Sequence, residues 1–271
     1  MDGRARLART PSSLAIQHMI TDPWFFAVAI PAIVLTGLSK GGFLGGVGGI
    51  AVPLMSLVIS PVQAAGIMLP ILITMDWIGV WAYRRDWSGP NLKILLPASI
   101  AGVLIGWATA TYVTEAHVRL LVGLVGAAFT LTHWFNLKPR GTAPGPNVSK
   151  GSFWGMISGF TSFVSHAGGP PYSVYMLPQR LPNVVYAGTG IMLFTVINLV
   201  KVPPYFFLGQ FSLANLKTVA VLIPLAPLAI MAGVWLTRRV PQEPFYKIAY
   251  ACLFFISLKL IWDGACAVLV G

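Results

Sequence analysis

Apolar residues in this chain fall into runs separated by short polar stretches. The runs cover residues 24–38, 46–59, 64–83, 92–113 and 118–137, then 152–165, 170–177, 184–208, 216–236 and 245–269. A helix needs about 20 apolar residues to cross a bilayer, and fewer if it ends inside the protein. The pattern predicts an all-α integral membrane protein with two repeats of five segments each. In each half the first two segments are short, and a glycine-rich break separates them. The expected boundaries are an N-terminal tail over 1–22, a first transmembrane repeat over 23–137, a cytoplasmic linker over 138–150 and a second repeat over 151–271.

The halves share sequence as well as pattern. Residues 64–93, shifted by 124 without a gap, fall on residues 188–217 with nine identities. Gly66-Ile67-Met68-Leu69 meets Gly190-Ile191-Met192-Leu193, and Asn91-Leu92-Lys93 meets Asn215-Leu216-Lys217. The second match is the stronger, because polar residues are scarce here. Five spans per half, an odd number, require the two halves to be inverted in the membrane.

Composition agrees. Charged residues are 9% of the chain and hydrophobic residues 56%, whereas a soluble domain carries about 25% charged residues. The net charge of +11 does not form the basic face that a nucleic-acid binder needs. It is split among short clusters between apolar runs: Arg84 and Arg85; Lys138, Arg140 and Lys150; Arg180; Arg238 and Arg239. With both termini outside, all of these fall on the cytoplasmic side, as the positive-inside rule requires. Only the arginines of the tail disagree. The chain is expected as a multi-pass cell-membrane protein of the bacterial inner membrane, and homo-oligomers are compatible with it. Cys252 and Cys266 lie 14 residues apart in one apolar run, about 21 Å along a helix, too far for a disulfide.

The breaks carry the candidate chemistry. Residues 37–49 read GLSKGGFLGGVGG, and residues 165–171 read SHAGGPP. Irregular backbone at membrane depth is tolerated where protein buries it or where it lines a cavity. Interrupted segments at matching places in two halves point to the substrate site of a secondary transporter. Lys40, with Gly41, Gly42, Gly48 and Gly49, forms the first candidate binding segment; Ser165, His166, Gly168, Gly169 and Pro170 form the second. Half-helices starting at the breaks would aim N-terminal N–H groups at one point, which suits an oxyanion. Pro170 and Pro171 suit a helix start. His166 can donate to an anion and carry a proton with it. Asp76, Asn198 and Lys201 are candidates for gating or coupling: Asp76 either pairs with Lys201 inside the membrane or meets the Arg84–Arg85 loop at a span end. Lys259 and Asp263, four apart, are expected to pair locally. No enzyme signature is present, and seven acidic residues leave little for carboxylate metal sites. No cofactor and no metal are expected.

The segments GLSKGGFLGGVGG, LPILITMDWIGVWAYRRDW and GFTSFVSHAGGPPYSVYMLPQRL, followed by NLVKVPPYFFLGQ, resemble the TauE/SafE sulfite-exporter family over residues 24–264. The resemblance implies a small, duplicated membrane exporter of sulfite, related sulfur oxyanions or organosulfonates. It also places the family's motifs on Lys40, Gly41, Gly42, Gly45, Gly46, Gly48 and Gly49, and on His166, Gly168, Gly169, Pro170 and Pro171. Val47 interrupts the glycine run that many members keep unbroken. An anion channel and a membrane-embedded enzyme or assembly factor are the alternatives.

Overall fold

The computed structural model describes residues 20–43, 51–110, 112–135 and 143–270. All the regular structure among them is helical: α1 (Pro23–Lys40), α2 (Ala51–Met55), α3 (Pro61–Tyr83), α4 (Gly89–Ala108), α5 (Glu115–Trp134), α6 (Val148–Ser165), α7 (Gly169–Met176), α8 (Asn183–Phe207), α9 (Leu213–Leu222), α10 (Leu225–Arg239) and α11 (Gln242–Val270), with a short 3₁₀ turn at Leu177–Gln179. Among the described residues, α1, α3, α4, α5, α8 and α11 are each long and apolar enough to cross a membrane, and α9 with α10 makes a seventh candidate span. The chain is a multi-pass membrane protein.

Local sequence sets the helix starts. Asp22 accepts a hydrogen bond from Trp24 N ahead of Pro23, and Ser60 accepts one from Gln63 N ahead of Pro61. Asn147 and Ser212 cap α6 and α9 in the same way. Each cap satisfies a backbone N–H that the helix cannot, and proline at the first position gives up none. The cap at Asn147 starts α6 three residues before the expected start of the second repeat, within the segment expected as linker.

The order of elements in residues 23–134 recurs in residues 148–270. α1 and α6 are both 18 residues long, each is followed by a break and a short helix, and each short helix by a long one. The order departs at the 3₁₀ turn after α7 and at α9 and α10, expected as a single segment over 216–236 and found as two helices bent by 50°. Pro224 interrupts the helix at this bend, because it has no N–H to give to the carbonyl one turn back, although Ile223 and Pro224 both keep helical backbone angles.

Packing repeats too. α1 lies against α10 as α6 lies against α4, α3 against α10 as α8 against α4, and α3 meets α8 as α5 meets α11. Matching helices run antiparallel. Along α3 and α8, Gly66 faces Gln210 just past the end of α8, Asp76 faces Asn198 and Gly79 faces Ile191. Along α5 and α11, Gly264 faces Ala116 and Leu120 while Gly126 faces Ser257 and Leu253. These interfaces depend on small residues, which let backbones approach closely where lipid supplies no hydrophobic drive. A Cβ at Gly41 would lie 2.6 Å from Gly233 Cα, and one at Gly123 would lie 2.7 Å from Ser257 O. Large apolar side chains such as Leu121, Leu228, Met231, Phe255 and Trp262 stay exposed, which in a bilayer is a lipid-facing surface.

Candidate functional site

Lys40 ends α1. Gly42 has φ +99°, and Gly42 N reaches Ser39 O at 2.9 Å while Phe43 N reaches Leu38 O at 3.2 Å. This pair of bonds is a Schellman ending, with glycine at the left-handed position. The carbonyl of Gly41, left free by the ending, accepts from Tyr83 OH at 2.5 Å and from Thr237 Oγ1 at 3.0 Å. The α1 terminus is thus pinned to both α3 and α10. Gly48 and Gly49 lie outside the described residues.

The second break is built from side chains. His166 caps α6 in the left-handed conformation, φ 53°. Ser158 Oγ donates to Gly168 O at 2.8 Å, and Thr161 Oγ1 donates to Ala167 O at 3.1 Å. These bonds satisfy carbonyls that the interrupted helix cannot. α7 starts at Gly169, with Pro170 and Pro171 in its first turn. The two prolines remove two of the N–H groups that a helix start offers, so few remain for an anion.

The two breaks face one cavity of about 70 Å³. Ser39 and Lys40 line it from α1, Gly42 from the turn that follows, Ser162, His166, Gly168 and Gly169 from the end of α6 and the second break, and Asn198 and Lys201 from α8. Leu72, Tyr172, Tyr186, Ile191 and Phe194 supply much of its apolar wall. Expected site residues Gly41, Ser165 and Pro170 are not part of the lining. The Ser165 hydroxyl turns back to Thr161 O at 3.2 Å, a local bond available to serine within a helix; Ser162, one turn earlier, reaches the cavity instead.

The charges are arranged differently from the expected pairing. Asp76, 1% exposed, lies within α3 and pairs with Lys40 Nζ through Oδ1, while Oδ2 accepts from Asn198 Nδ2 at 2.7 Å. It pairs neither with Lys201 nor with the Arg84–Arg85 loop; Asp86 meets Arg238 there instead, at 3.2 Å. Physically, α1 ends beside α3 and delivers the Lys40 ammonium to the carboxylate, whose second oxygen then takes the nearest amide of α8. Lys201, 1% exposed, donates to Ser162 O at 3.2 Å and to Ser162 Oγ at 3.3 Å, with its ammonium 5.9 Å from the centre of the Tyr205 ring. Among the described residues it has no carboxylate partner. It is therefore the unmatched charge at the cavity.

Ser39 adds a second signal. It is 2% exposed, lines the cavity, and among the described residues its Oγ has no hydrogen-bond partner. A buried hydroxyl without a partner costs about 1–3 kcal/mol, and a ligand in the cavity can supply that partner. His166 Nε2 shares a 2.9 Å hydrogen bond with Tyr205 OH. No sequence signal singled out Tyr205, which the fold brings from α8, nor the aromatic wall.

Away from the cavity, Lys259 bonds Asp263 at 2.5 Å, as the four-residue spacing implies. His133 stacks on Tyr250 with ring centres 3.7 Å apart. Cys252 and Cys266 are both free and both on α11.

A polytopic helical protein with backbone breaks around a buried, cationic, hydroxyl-lined cavity is built as a membrane transporter. The chain matches the family model described as sulfite exporter TauE/SafE over residues 29–260, and it belongs to that family. Comparison with curated proteins and with solved structures gives no match.

Proposed function

We propose that this chain is a secondary transporter that exports a small sulfur oxyanion, sulfite in the first instance. The observation that carries this reading is the pairing, in one cavity, of the unmatched Lys201 ammonium with the unpartnered Ser39 hydroxyl. Lys40 and Asp76 neutralise each other, so one positive charge is left for an anion. Of the polar groups lining the cavity, Lys201, Ser39, Ser162 and His166 are the proposed donors to the anion, in place of the helix N-termini. A buried water occupies about 10–15 Å³ on this measure, so about 70 Å³ holds a compact inorganic anion better than a long-tailed organosulfonate.

Uptake into proteoliposomes tests this reading. Sulfite flux should saturate and show counterflow, and organosulfonates should compete more weakly as their tails lengthen. Flux that neither saturates nor shows counterflow would mean a channel. A chain that moves none of these anions would leave the membrane-embedded enzyme or assembly factor as the reading to pursue.

The halves are proposed to be inverted repeats with boundaries near residues 23–137 and 148–271. Antiparallel packing of α3 on α8 and of α5 on α11 supports this, since helices related by inversion must run in opposite directions. The cationic loops also gather at one end. Arg238 reaches Ala82 O and Asp86, Gln242 Nε2 donates to Arg180 O at 3.1 Å, and Asn183 Nδ2 donates to Val240 O at 2.9 Å. Arg119 and Lys259 are instead matched by Glu115 and Asp263. By the positive-inside rule the arginine-rich end is cytoplasmic. Single cysteines at Ser88 and Gln242, in a chain without Cys252 and Cys266, should react with impermeant thiol reagents only after the membrane is opened. Labelling of either one in intact cells would overturn this topology.

A further inference from the structure

A second concavity, of about 400 Å³, lies at the ends of α3 and α10 and is lined by Trp81, Ala82, Arg84, Arg85, Asp86, Val234 and Arg238. It shares no lining residue with the central cavity. Three arginines against one aspartate leave it cationic. Asp86 engages Arg238, Arg84 donates to its own turn at Trp81 O, and among the described residues Arg85 has no hydrogen-bond partner. The groove has an apolar side as well, from Trp81, Ala82 and Val234.

Its position decides the ligand. Trp77 and Trp81, 64% and 69% exposed, and Trp235, 55% exposed, stand beside it on the helices that form it. Tryptophans of this kind mark the boundary between hydrocarbon and headgroups. The Arg84 guanidinium sits 5.3 Å from the Trp81 ring centre and that of Arg239 sits 4.8 Å from Trp235. The guanidinium groups therefore lie at headgroup depth, directly beyond a lipid-facing aromatic surface. Guanidinium matches phosphate through paired N–H groups, and basic pockets between membrane helices bind anionic headgroups. We infer that this groove is a binding site for the phosphodiester headgroup of an anionic phospholipid, with an acyl chain lying along the Trp81 and Val234 wall. A free phosphate shares the headgroup's chemistry but has no use for that wall.

Thermal unfolding of the purified full chain in a neutral detergent tests the site. Added phosphatidylglycerol should raise the unfolding temperature of the wild type. Phosphatidylcholine, and inorganic phosphate at the same concentration, should not. Arg85→Gln should cut the phosphatidylglycerol shift at least twofold, and Arg84→Gln with Arg85→Gln should remove most of it. Because Arg238 bonds the α3 terminus and its loss can weaken the fold, the Arg85 variant carries the test. Lys93→Gln, an exposed cation of α4 outside the groove, should keep the full shift. Any one of three results overturns the proposal: an equal response to phosphatidylcholine, an equal loss in Lys93→Gln and Arg85→Gln, or an Arg85→Gln chain that responds like the wild type. A phosphate response matching that of phosphatidylglycerol overturns the lipid assignment in favour of a free-oxyanion site.

Discussion

Lys201→Met should reduce the apparent affinity for sulfite by about two orders of magnitude while leaving the protein folded. Lys201 is the one cation at the central cavity with no carboxylate partner among the described residues, and it is 1% exposed. In so dry a place an anion gains far more from a full charge than it would in water. Removing one partner of a buried, hydrogen-bonded charge pair costs about 2–5 kcal/mol, and about 2.7 kcal/mol corresponds to a hundredfold in affinity. Arginine at this position should restore only part of the loss, because its planar group is larger and cannot sit as a point charge against Ser162. Stability separates this role from a structural one. An unmatched ammonium is costly to bury, so Lys201→Met should leave the unfolding temperature of the empty protein unchanged or raised. Equilibrium binding and thermal unfolding of the same preparation check both halves. A variant that binds sulfite like the wild type assigns the anion to another cation, and one that melts well below the wild type makes Lys201 a packing residue.

Much of the architecture was legible in the chain, because membrane helices depend on local rules. Run length gave the long helices, Asp22-Pro23 and Ser60-Pro61 mark two starts, and the offset of 124 residues between Asn91 and Asn215 anticipates two buried asparagines in matching places. Asn91 bonds Gln179 as Asn215 bonds Gln63. The bend between α9 and α10 was harder to foresee. Pro97 stands in α4 at the place matching Pro224, 127 residues away, yet α4 continues through it. The two breaks drew attention to Lys40 and His166 because glycine and proline announce themselves. The partner of each ion was not legible. Asp76 has a lysine in reach from α1 and another on α8, and which one it meets depends on where α1 stops against α3. Nothing in the sequence singled out Ser39; only its burial and its lack of a hydrogen-bond partner among the described residues make it a candidate ligand.

Lys40→Met and Asp76→Asn should each destabilise the protein by about 3–5 kcal/mol, the cost of breaking a buried ion pair from one side. The first strands the Asp76 carboxylate with only the Asn198 amide, and the second leaves the Lys40 ammonium buried with no countercharge. Both should appear as low yields of monodisperse protein and a lowered unfolding temperature. This differs from the simplest reading of Lys40 as a free anion-attracting charge, under which Lys40→Met inserts normally and only binding is lost. Replacing both partners with apolar residues of similar size removes both desolvation penalties at once, and such replacements are often neutral or stabilising by about 1–4 kcal/mol. Lys40→Met combined with Asp76→Leu should therefore fold better than either single variant. Its sulfite transport should stay within about tenfold of the wild type, because Lys201 still supplies the charge. Thermal unfolding of the wild type, Lys40→Met, Asp76→Leu and the double variant gives the coupling energy, and flux in proteoliposomes gives the role. If the double variant melts lower than both single ones, the pair is not the unit drawn here. If it folds but transports as poorly as Lys201→Met, Lys40 leaves Asp76 to hold the anion, and the ion pair becomes a step in the transport cycle.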